Sequence, residues 1–279
     1  MSNTLLADAH DTKVLLLDLD GTLLDLDFDR IIPDYMAMLH PYFAAQLGFK
    51  EFARFFLQAT AEMLKPVDWP LPSGAPTNGE RFYNSFARLT GIDVKTLGPA
   101  TEQFYREVFP RLRHKSAPLP EAKELLEAAR AQGWRLVLAT QPIFPRVALL
   151  ERLRWADISP TAFELITDMD TFHATKPHPA YFYEVCQRLH VTARQCVMVG
   201  NDVHDDIPAR RAGIKTFLVE TFILHPEAGT EDCPPDARGS LNDLIKLIKA
   251  GELARWLEAG DRVRNGHVQK DRVRGAART

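Results

Sequence analysis

The sequence is poor in cysteine, in net charge and in long apolar runs, and each shortage excludes a class of protein. Its three cysteines, Cys186, Cys196 and Cys233, form no C-x-x-C pair and are odd in number, which argues against a disulfide framework and indicates a reducing compartment. The net charge of −3 gives no sign of nucleic-acid binding. No apolar run approaches the roughly 20 residues that span a bilayer, and residues 1–11 have no apolar core typical of a signal peptide. We therefore predict a cytoplasmic protein without a nucleic-acid or membrane partner.

Helices and short apolar runs alternate from residue 119 onward, which predicts a parallel sheet with helices on both faces. The chain of 279 residues suits one large domain or two modest ones. Strands are predicted at residues 14–17, 135–140, 163–167, 196–200 and 216–219. Helices are predicted at residues 121–131, 145–154, 179–189, 207–212 and 241–257, with a loop at 221–240. The fold class is therefore α/β with a Rossmann-like sheet.

The first predicted strand ends in two acids, Asp18 and Asp20, followed by Gly21. Residues two apart on an extended chain project to the same side, and ligands bind at the carboxyl ends of strands in open α/β sheets. Two carboxylates placed there repel unless a cation or a proton lies between them. Gly21 permits a turn that a residue with a Cβ resists. A single Asp could cap the next helix, but two directly after a buried strand indicate a functional site.

Residues 18–22, D-L-D-G-T, resemble the first motif of the haloacid dehalogenase superfamily. Most members of that family are Mg²⁺-dependent phosphohydrolases that pass through an aspartyl-phosphate. Three later features resemble the other motifs in the same order, each after a predicted strand: Thr140, then Lys176 in T-K-P-H-P, then Asp202 in G-N-D-V-H-D-D. Four motifs in order are far more specific than any one of them.

The fourth motif departs from the family pattern, because Asn201 stands where many relatives carry an acid. This departure favours Asp202 as the direct metal ligand. Asp205 and Asp206 are both candidates for the second acid, and the four-residue spacing from Asp202 favours Asp206. Asn201 and Asp206 are then expected beside the metal without binding it directly.

The resemblance implies a role for each motif. Asp18 is the nucleophile, and Asp20 protonates the leaving oxygen and later takes a proton from water. Thr140 and Lys176 hold the phosphoryl oxygens. The implied cofactor is Mg²⁺, bound by Asp18, by the backbone carbonyl of Asp20 and by Asp202. The implied substrate is a small phosphomonoester.

Residues 27–116 contain helical patterns and no convincing strand, and they interrupt the sheet pattern, as a small α-helical cap does in the superfamily. Pro41 is expected to kink or end a helix that begins near residue 31. The proline-rich residues 65–79 form a loop that is either functional or disordered. The expected divisions are a catalytic core at 1–26 and 117–260, a cap at 27–116, and a polar basic tail at 261–279 that is predicted to be disordered. Candidate substrate-binding residues are Gly21, Thr22 and Gln141 beside the motifs and Arg54 and Arg81 in the cap.

Other functions share this core. A 2-haloacid dehalogenase uses the same nucleophile, but it needs no metal and lacks the second acid of the first motif. The presence of Asp20 and Asp202 therefore argues against this activity. A phosphomutase is an alternative, as is a phosphonatase, which needs a cap lysine for which Lys50 and Lys65 are weak candidates. A non-catalytic binding protein is disfavoured by the intact motifs. Sugar phosphates, phosphoglycolate and nucleoside monophosphates all remain candidate substrates, and no oligomeric state is indicated.

Overall fold

A computed structural model describes residues 12–228, 232–259, 262–264 and 267–269 of the chain. The strands are β1 (Lys13–Leu17), β2 (Leu24–Asp25), β3 (Ala117–Pro118), β4 (Trp134–Leu138), β5 (Leu165–Ile166), β6 (Cys196–Gly200), β7 (Lys215–Val219), β8 (Ala237–Gly239), β9 (Arg262–Arg264) and β10 (His267–Gln269). The α-helices are α1 (Phe28–Phe43), α2 (Phe49–Met63), α3 (Asn78–Thr90), α4 (Val94–Glu107), α5 (Pro120–Ala131), α6 (Arg146–Trp155), α7 (Pro179–Leu189), α8 (Leu241–Lys249) and α9 (Glu252–Ala259). Short 3₁₀ helices lie at Phe109–Lys115, Pro160–Ala162, Ala193–Gln195, Ile207–Ala212 and Pro226–Ala228.

A six-stranded sheet in the order β5-β4-β1-β6-β7-β8 forms the centre of the protein. Every neighbouring pair in it is parallel, so the predicted α/β class is confirmed. All five strands expected from the sequence are present, although β5 is only two residues long. The sixth strand, β8, was missed, because its A-R-G sequence lacks the run of large apolar residues that marks a buried strand.

β1 is central and is buried on both faces. Leu15 and Leu17 pack into one hydrophobic cluster, which includes side chains of α5 and α8. Val14 and Leu16 pack into another cluster, which includes side chains of α7. This alternation follows from the two-residue period of a strand, and it explains why the sequence of β1 is a continuous apolar run.

The helical insert comprises α1 to α4 and lies between β2 and β3. These two short strands pair antiparallel, with Leu24 opposite Pro118, so the chain leaves the sheet domain and returns to it at neighbouring points. The interior of the insert is rich in aromatic rings, such as Phe43 and Phe86 with centroids 5.0 Å apart. Pro41 lies in the last turn of α1, which ends two residues later at Phe43.

Residues 65–77 of the predicted proline-rich loop run along the sheet domain as a non-helical segment. The prediction is wrong for Asn78 and Gly79, which form the start of α3. The Trp69 ring lies 6.0 Å from the ring of Tyr183 on α7. The segment ends at Thr77, which caps α3 together with Glu80. Asn78, the first residue of α3, donates through Nδ2 to the carbonyls of Pro142 and Ala174. The end of this segment therefore fixes the insert to the loops that follow β4 and β5.

Two further expectations concern the C-terminal part of the chain. The single helix predicted at 241–257 is wrong, because Gly251 adopts a left-handed φ of +67° between α8 and α9. Of the predicted tail, only 262–264 and 267–269 are described, and they pair as an antiparallel hairpin. The prediction of disorder for the rest of the tail lies outside the described residues. Within the described ranges, no helix combines the length and apolar character that crossing a bilayer requires.

Candidate active site

The polar residues that follow β1, β4, β5 and β6 line one cavity of about 990 Å³ between the sheet and the helical insert. They include Asp18 after β1, Thr140 after β4, Lys176 in the loop after β5, and Asp202 and Asp206 after β6. The structure thus brings together the four motif positions. The reason is topological, since parallel strands present their carboxyl ends at the same edge of the sheet.

Lys176 lies at the bottom of the cavity between two carboxylates. Its Nζ is 3.0 Å from Asp18 Oδ1 and 2.6 Å from Asp206 Oδ1, and its side chain is 1% exposed. Burial taken alone lowers the pKa of Lys176, but Asp18 and Asp206 outweigh that effect and raise the pKa well above its usual value. Burial also raises the pKa of Asp18, which the Lys176 ammonium partly offsets. Lys176 is therefore a fixed positive charge beside Asp18.

Gln141 holds the backbone of the lysine loop. Its Oε1 accepts from the Lys176 amide at 2.9 Å, and its Nε2 donates to the Lys176 carbonyl at 3.0 Å. The same Nε2 donates to Asp205 Oδ2 at 2.9 Å. Gln141 lines the cavity, and these bonds give it a positioning contact in addition to the substrate contact expected from the sequence.

Arg152 is a buried cation that the sequence analysis missed. It lies on α6, is 1% exposed and forms an ion pair with Asp20 Oδ2, while its guanidinium lies 4.5 Å from the centre of the Phe144 ring. Burial raises the pKa of Asp20 to about 6, although Arg152 acts to lower it. Asp20 Oδ1 is buried and has no hydrogen-bond partner among the described residues. The signal in the sequence is a charged residue on the apolar face of a helix, three residues after Leu149.

Asp202 is held in a tight turn. Its Oδ1 accepts from the amides of His204 and Asp205 at 2.8 and 3.1 Å. His225 Nδ1 lies 3.0 Å from each Asp202 oxygen. His225 was also missed by the sequence analysis, because it follows β7 in a loop without a recognisable motif.

The two candidates for the second acid of the fourth motif are in different environments. Asp206 is 1% exposed and contacts Lys176 and the Asp202 amide, whereas Asp205 contacts Gln141 and His204. Asp206 fits closely against Gly200, where a Cβ would lie 2.0 Å from Asp206 Oδ2. The geometry therefore favours Asp206 over Asp205.

Asn201 joins the first and fourth motifs. Its Oδ1 accepts from the Thr22 hydroxyl at 3.1 Å, and its Nδ2 donates to the carbonyl of Phe222 at 2.6 Å. Gly21 packs against the same side chain with a φ of +79°. Thr22 is fully buried, so Asn201 and Thr22 connect the loops after β1 and β6.

Gly21→Ala is expected to lower the free energy of unfolding by about 2–4 kcal/mol, because it combines a left-handed backbone with a steric clash. A Cβ at this position would lie 2.2 Å from Asn201 Nδ2. Gly91→Ala is the matched control, since Gly91 has a φ of +74° but open space around it. Gly91→Ala should lower the free energy of unfolding by about 1 kcal/mol, because only the left-handed backbone conformation is unfavourable there. Equal losses for the two variants in urea denaturation would contradict the close packing of Gly21 on Asn201.

The structure brings neither Arg54 nor Arg81 into the cavity. Arg54 is exposed and its guanidinium lies 4.5 Å from the centre of the Phe55 ring. Arg81 donates to the carbonyls of Glu62 and Lys65 at 2.6 and 2.8 Å, where α2 ends. The physical reason is that the last carbonyls of a helix need donors. Arg81 donates to one of them, that of Glu62, and also to the Lys65 carbonyl just after the helix.

The donor chemistry of the site fits Mg²⁺. When ionised, Asp18, Asp20, Asp202 and Asp206 supply four negative charges against the two positive charges of Lys176 and Arg152, which leaves an excess of two. Among the described residues no group of three or more His, Cys, Asp or Glu side chains is arranged to hold a metal. Mg²⁺ does not require such a group, because it binds one or two carboxylates and keeps several waters.

The fold and the site together define an α/β enzyme with an acid-rich centre at the carboxyl ends of its central strands. The sequence profile of the haloacid dehalogenase-like hydrolases matches residues 12–213. The chain belongs to this family, and it is an enzyme of the hydrolase class. The family expected from the motifs is therefore confirmed.

Two relatives of this chain are named as a pyrophosphatase and a phosphatase. The chain is 23% identical over 237 residues to a pyrophosphatase, PpaX, of Bacillus anthracis, covering 85% of this chain and 96% of the relative. It is 26% identical over 217 residues to an N-acetylmuramic acid 6-phosphate phosphatase of Pseudomonas aeruginosa, covering 77% of this chain and 84% of the relative. The fold is similar to that of a haloacid dehalogenase-type phosphatase from Thermococcus onnurineus, with a TM-score of 0.53, 22% identity, and coverage of 85% of this chain and 98% of that one.

Proposed function

We propose that this protein is a Mg²⁺-dependent phosphomonoesterase that forms an aspartyl-phosphate on Asp18. The observation that carries the proposal is the arrangement of Asp18, with Lys176 Nζ 3.0 Å from its Oδ1 and a second acid, Asp20, paired with Arg152. A nucleophilic carboxylate beside a fixed cation is the arrangement that a negatively charged phosphoryl group requires.

The reaction has two steps. An Asp18 carboxylate oxygen attacks phosphorus, and the bond between phosphorus and the ester oxygen breaks while Asp20 donates a proton to that oxygen. Asp20 then takes a proton from a water molecule, which attacks phosphorus and releases phosphate and the free Asp18 carboxylate. Lys176 and the Thr140 hydroxyl hold the phosphoryl oxygens.

Asp20 suits its double role because Arg152 holds only one of its oxygens. Oδ2 pairs with Arg152, whereas Oδ1 has no partner among the described residues. A pKa of about 6 lies near neutral pH, where an acid can both give and take a proton. Mg²⁺, held by Asp18, the Asp20 carbonyl and Asp202, would supply positive charge to the phosphate oxygens.

The division into a core at 1–26 and 117–260 and a cap at 27–116 forms part of this proposal. The insert lines the cavity opposite the carboxylates, which is where a cap excludes water and contacts the leaving group. The substrate is a phosphorylated small molecule, in keeping with the names of the two relatives. The cytoplasmic location stays a prediction from the sequence.

The competing activities are less well supported. The dehalogenase reaction does not require a second acid at Asp20. Here Asp20 forms an ion pair with the buried Arg152. A phosphonatase needs a lysine over the site, but neither Lys50 nor Lys65 is among the residues that line the cavity. Lys65 instead pairs with Glu62 on the surface. These placements favour the phosphatase over both alternatives.

Removal of Mg²⁺ with EDTA is expected to lower hydrolysis of p-nitrophenyl phosphate by about 100-fold or more, and added Mg²⁺ should restore it. The Asp202→Asn side chain keeps an oxygen that can accept from the amides of His204 and Asp205, but it loses the negative charge that binds Mg²⁺. The variant should therefore need an Mg²⁺ concentration about tenfold higher to reach half of its maximal rate. Asp205→Asn is the matched control and should need much the same Mg²⁺ as the wild type. Full activity in EDTA would refute the metal dependence.

A further inference from the structure

The cavity changes character from its floor to its roof. The floor carries the carboxylates and Lys176, whereas the roof is built from the apolar side chains of the insert, including Met36, Leu39 and Phe56. Its volume of about 990 Å³ is at the upper end for a small-molecule site. It is far larger than a phosphate or a pyrophosphate needs.

Apolar side chains also reach the solvent at this cavity. Seven large apolar side chains are exposed among the described residues, and four of them line the cavity: Ile32, Phe49, Leu57 and Leu224. Leu57 is 64% exposed. Single exposed apolar residues are ordinary, but a group of them around one cavity marks a binding surface.

The insert presents few side chains to the cavity that could bind a polar leaving group. Among its described residues, Asp29 is the single charged side chain that lines the cavity, and no Lys or Arg of the insert does so. Thr60 and Thr101 donate to carbonyls of their own helices, and the hydroxyls of Tyr35 and Tyr105 bond to each other. Among the described residues of the insert, Tyr83 is the one other hydroxyl-bearing residue that lines the cavity, and it is uncharged at neutral pH. A second phosphate or a carboxylate would therefore be desolvated here without a cation from the insert to compensate it.

We propose that the substrate is the phosphate monoester of an apolar alcohol, with an alkyl chain or hydrophobic ring system that fills the roof of the cavity. This inference rests on the proposed phosphatase function and names its substrate class. The phosphate binds at the carboxylates and Lys176, and the apolar group contacts α1, α2 and α3. The specificity therefore differs from what the names of the two relatives state for those proteins.

A series of primary alkyl monophosphates from ethyl to octyl tests the proposal directly. Each added methylene is expected to raise kcat/KM about two- to fourfold while the chain extends into the cavity, because burying a methylene contributes up to about 0.8 kcal/mol. Pyrophosphate, ribose 5-phosphate and phosphoglycolate should be poorer substrates than octyl phosphate. A flat chain-length profile, or a higher kcat/KM for any of the three polar compounds, would overturn the inference.

Cavity filling provides a second test with a matched control. Ala53 on α2 lines the cavity, so Ala53→Phe should lower the octyl-to-ethyl ratio of kcat/KM by about tenfold. Ala61 lies on the same helix, is exposed and is not a lining residue, so Ala61→Phe should leave that ratio unchanged. Should Ala53→Phe fail to fold, Leu57→Asn at the exposed rim should lower the ratio about threefold. An unchanged ratio in the folded cavity variant contradicts the proposal.

Binding to the Asp18→Asn variant separates this inference from the proposed catalysis. Calorimetry with ethyl- and octylphosphonate, which carry a bond that is not hydrolysed, should show tighter binding of the longer chain by the same factor per methylene. Chain-length-dependent binding without turnover of any ester by the wild type would refute the phosphatase function and leave the apolar site standing. Turnover together with chain-independent binding would refute the apolar substrate alone.

Discussion

Asp18→Asn is expected to lower kcat for p-nitrophenyl phosphate by about 10⁴-fold or more, because an amide cannot act as the attacking carboxylate. Asp18 is 8% exposed at the end of β1, and its side chain occupies almost the same volume as asparagine. Lys176 keeps Asp206 as its partner at 2.6 Å, so the buried ammonium remains paired. The fold should therefore survive, as judged by circular dichroism and thermal unfolding, while turnover is lost.

Asp25→Asn is the control for this experiment. Asp25 belongs to β2, seven residues further along the chain, and is not a lining residue of the cavity. Its substitution should change kcat less than about threefold, because it touches neither the phosphate nor the proton donor. If Asp18→Asn retained a rate close to that of Asp25→Asn, then Asp18 would not be the nucleophile.

Arg152→Met is expected to lower the free energy of unfolding by about 3–5 kcal/mol, because removing one member of a buried ion pair leaves the other charge uncompensated. Arg152 is 1% exposed and its partner Asp20 is 20% exposed. The variant should also lower kcat, since Asp20 loses the contact that fixes its orientation. Urea denaturation measures the first effect and steady-state kinetics the second.

The same helix provides the control. Arg154 pairs with Glu151 but is 63% exposed. Arg154→Met should therefore lower the free energy of unfolding by less than about 1 kcal/mol. The double variant Asp20→Asn, Arg152→Met removes both buried charges and should regain much of the lost stability without regaining activity. Equal free energies of unfolding for the Arg152 and Arg154 variants would show that the buried ion pair does not stabilise the fold.

The sequence was sufficient to predict five of the six strands of the sheet and the convergence of the motifs. Each of Asp18, Thr140, Lys176 and Asp202 follows a buried strand, and parallel strands bring their carboxyl ends to one edge. The local patterns therefore carried information about distant contacts. The same patterns gave the α/β class and the family.

The missed features depend on partners that local patterns do not specify. Arg152 lies 132 residues from Asp20 in the chain, so no local pattern links the two. The one sign in the sequence that Arg152 is buried is its position on the apolar face of a helix. Gln141 was read as a substrate contact because nothing nearby in sequence reveals its bonds to Lys176. Arg81 was proposed for substrate from its charge alone, whereas its acceptors are backbone carbonyls. Backbone acceptors are present at every residue, so a sequence gives no sign of which ones a side chain will reach.

Trapping the phosphoryl group during turnover tests the central claim most directly. The wild-type enzyme would be quenched in acid while it hydrolyses p-nitrophenyl phosphate with Mg²⁺, reduced with borohydride, digested and analysed by mass spectrometry. We expect the peptide that contains Asp18 to carry homoserine at that position, the product of reducing an aspartyl-phosphate, and the peptide to be unmodified when substrate is omitted. An unmodified Asp18 in an enzyme that is turning over, with the phosphoryl group found on another residue, would contradict the account.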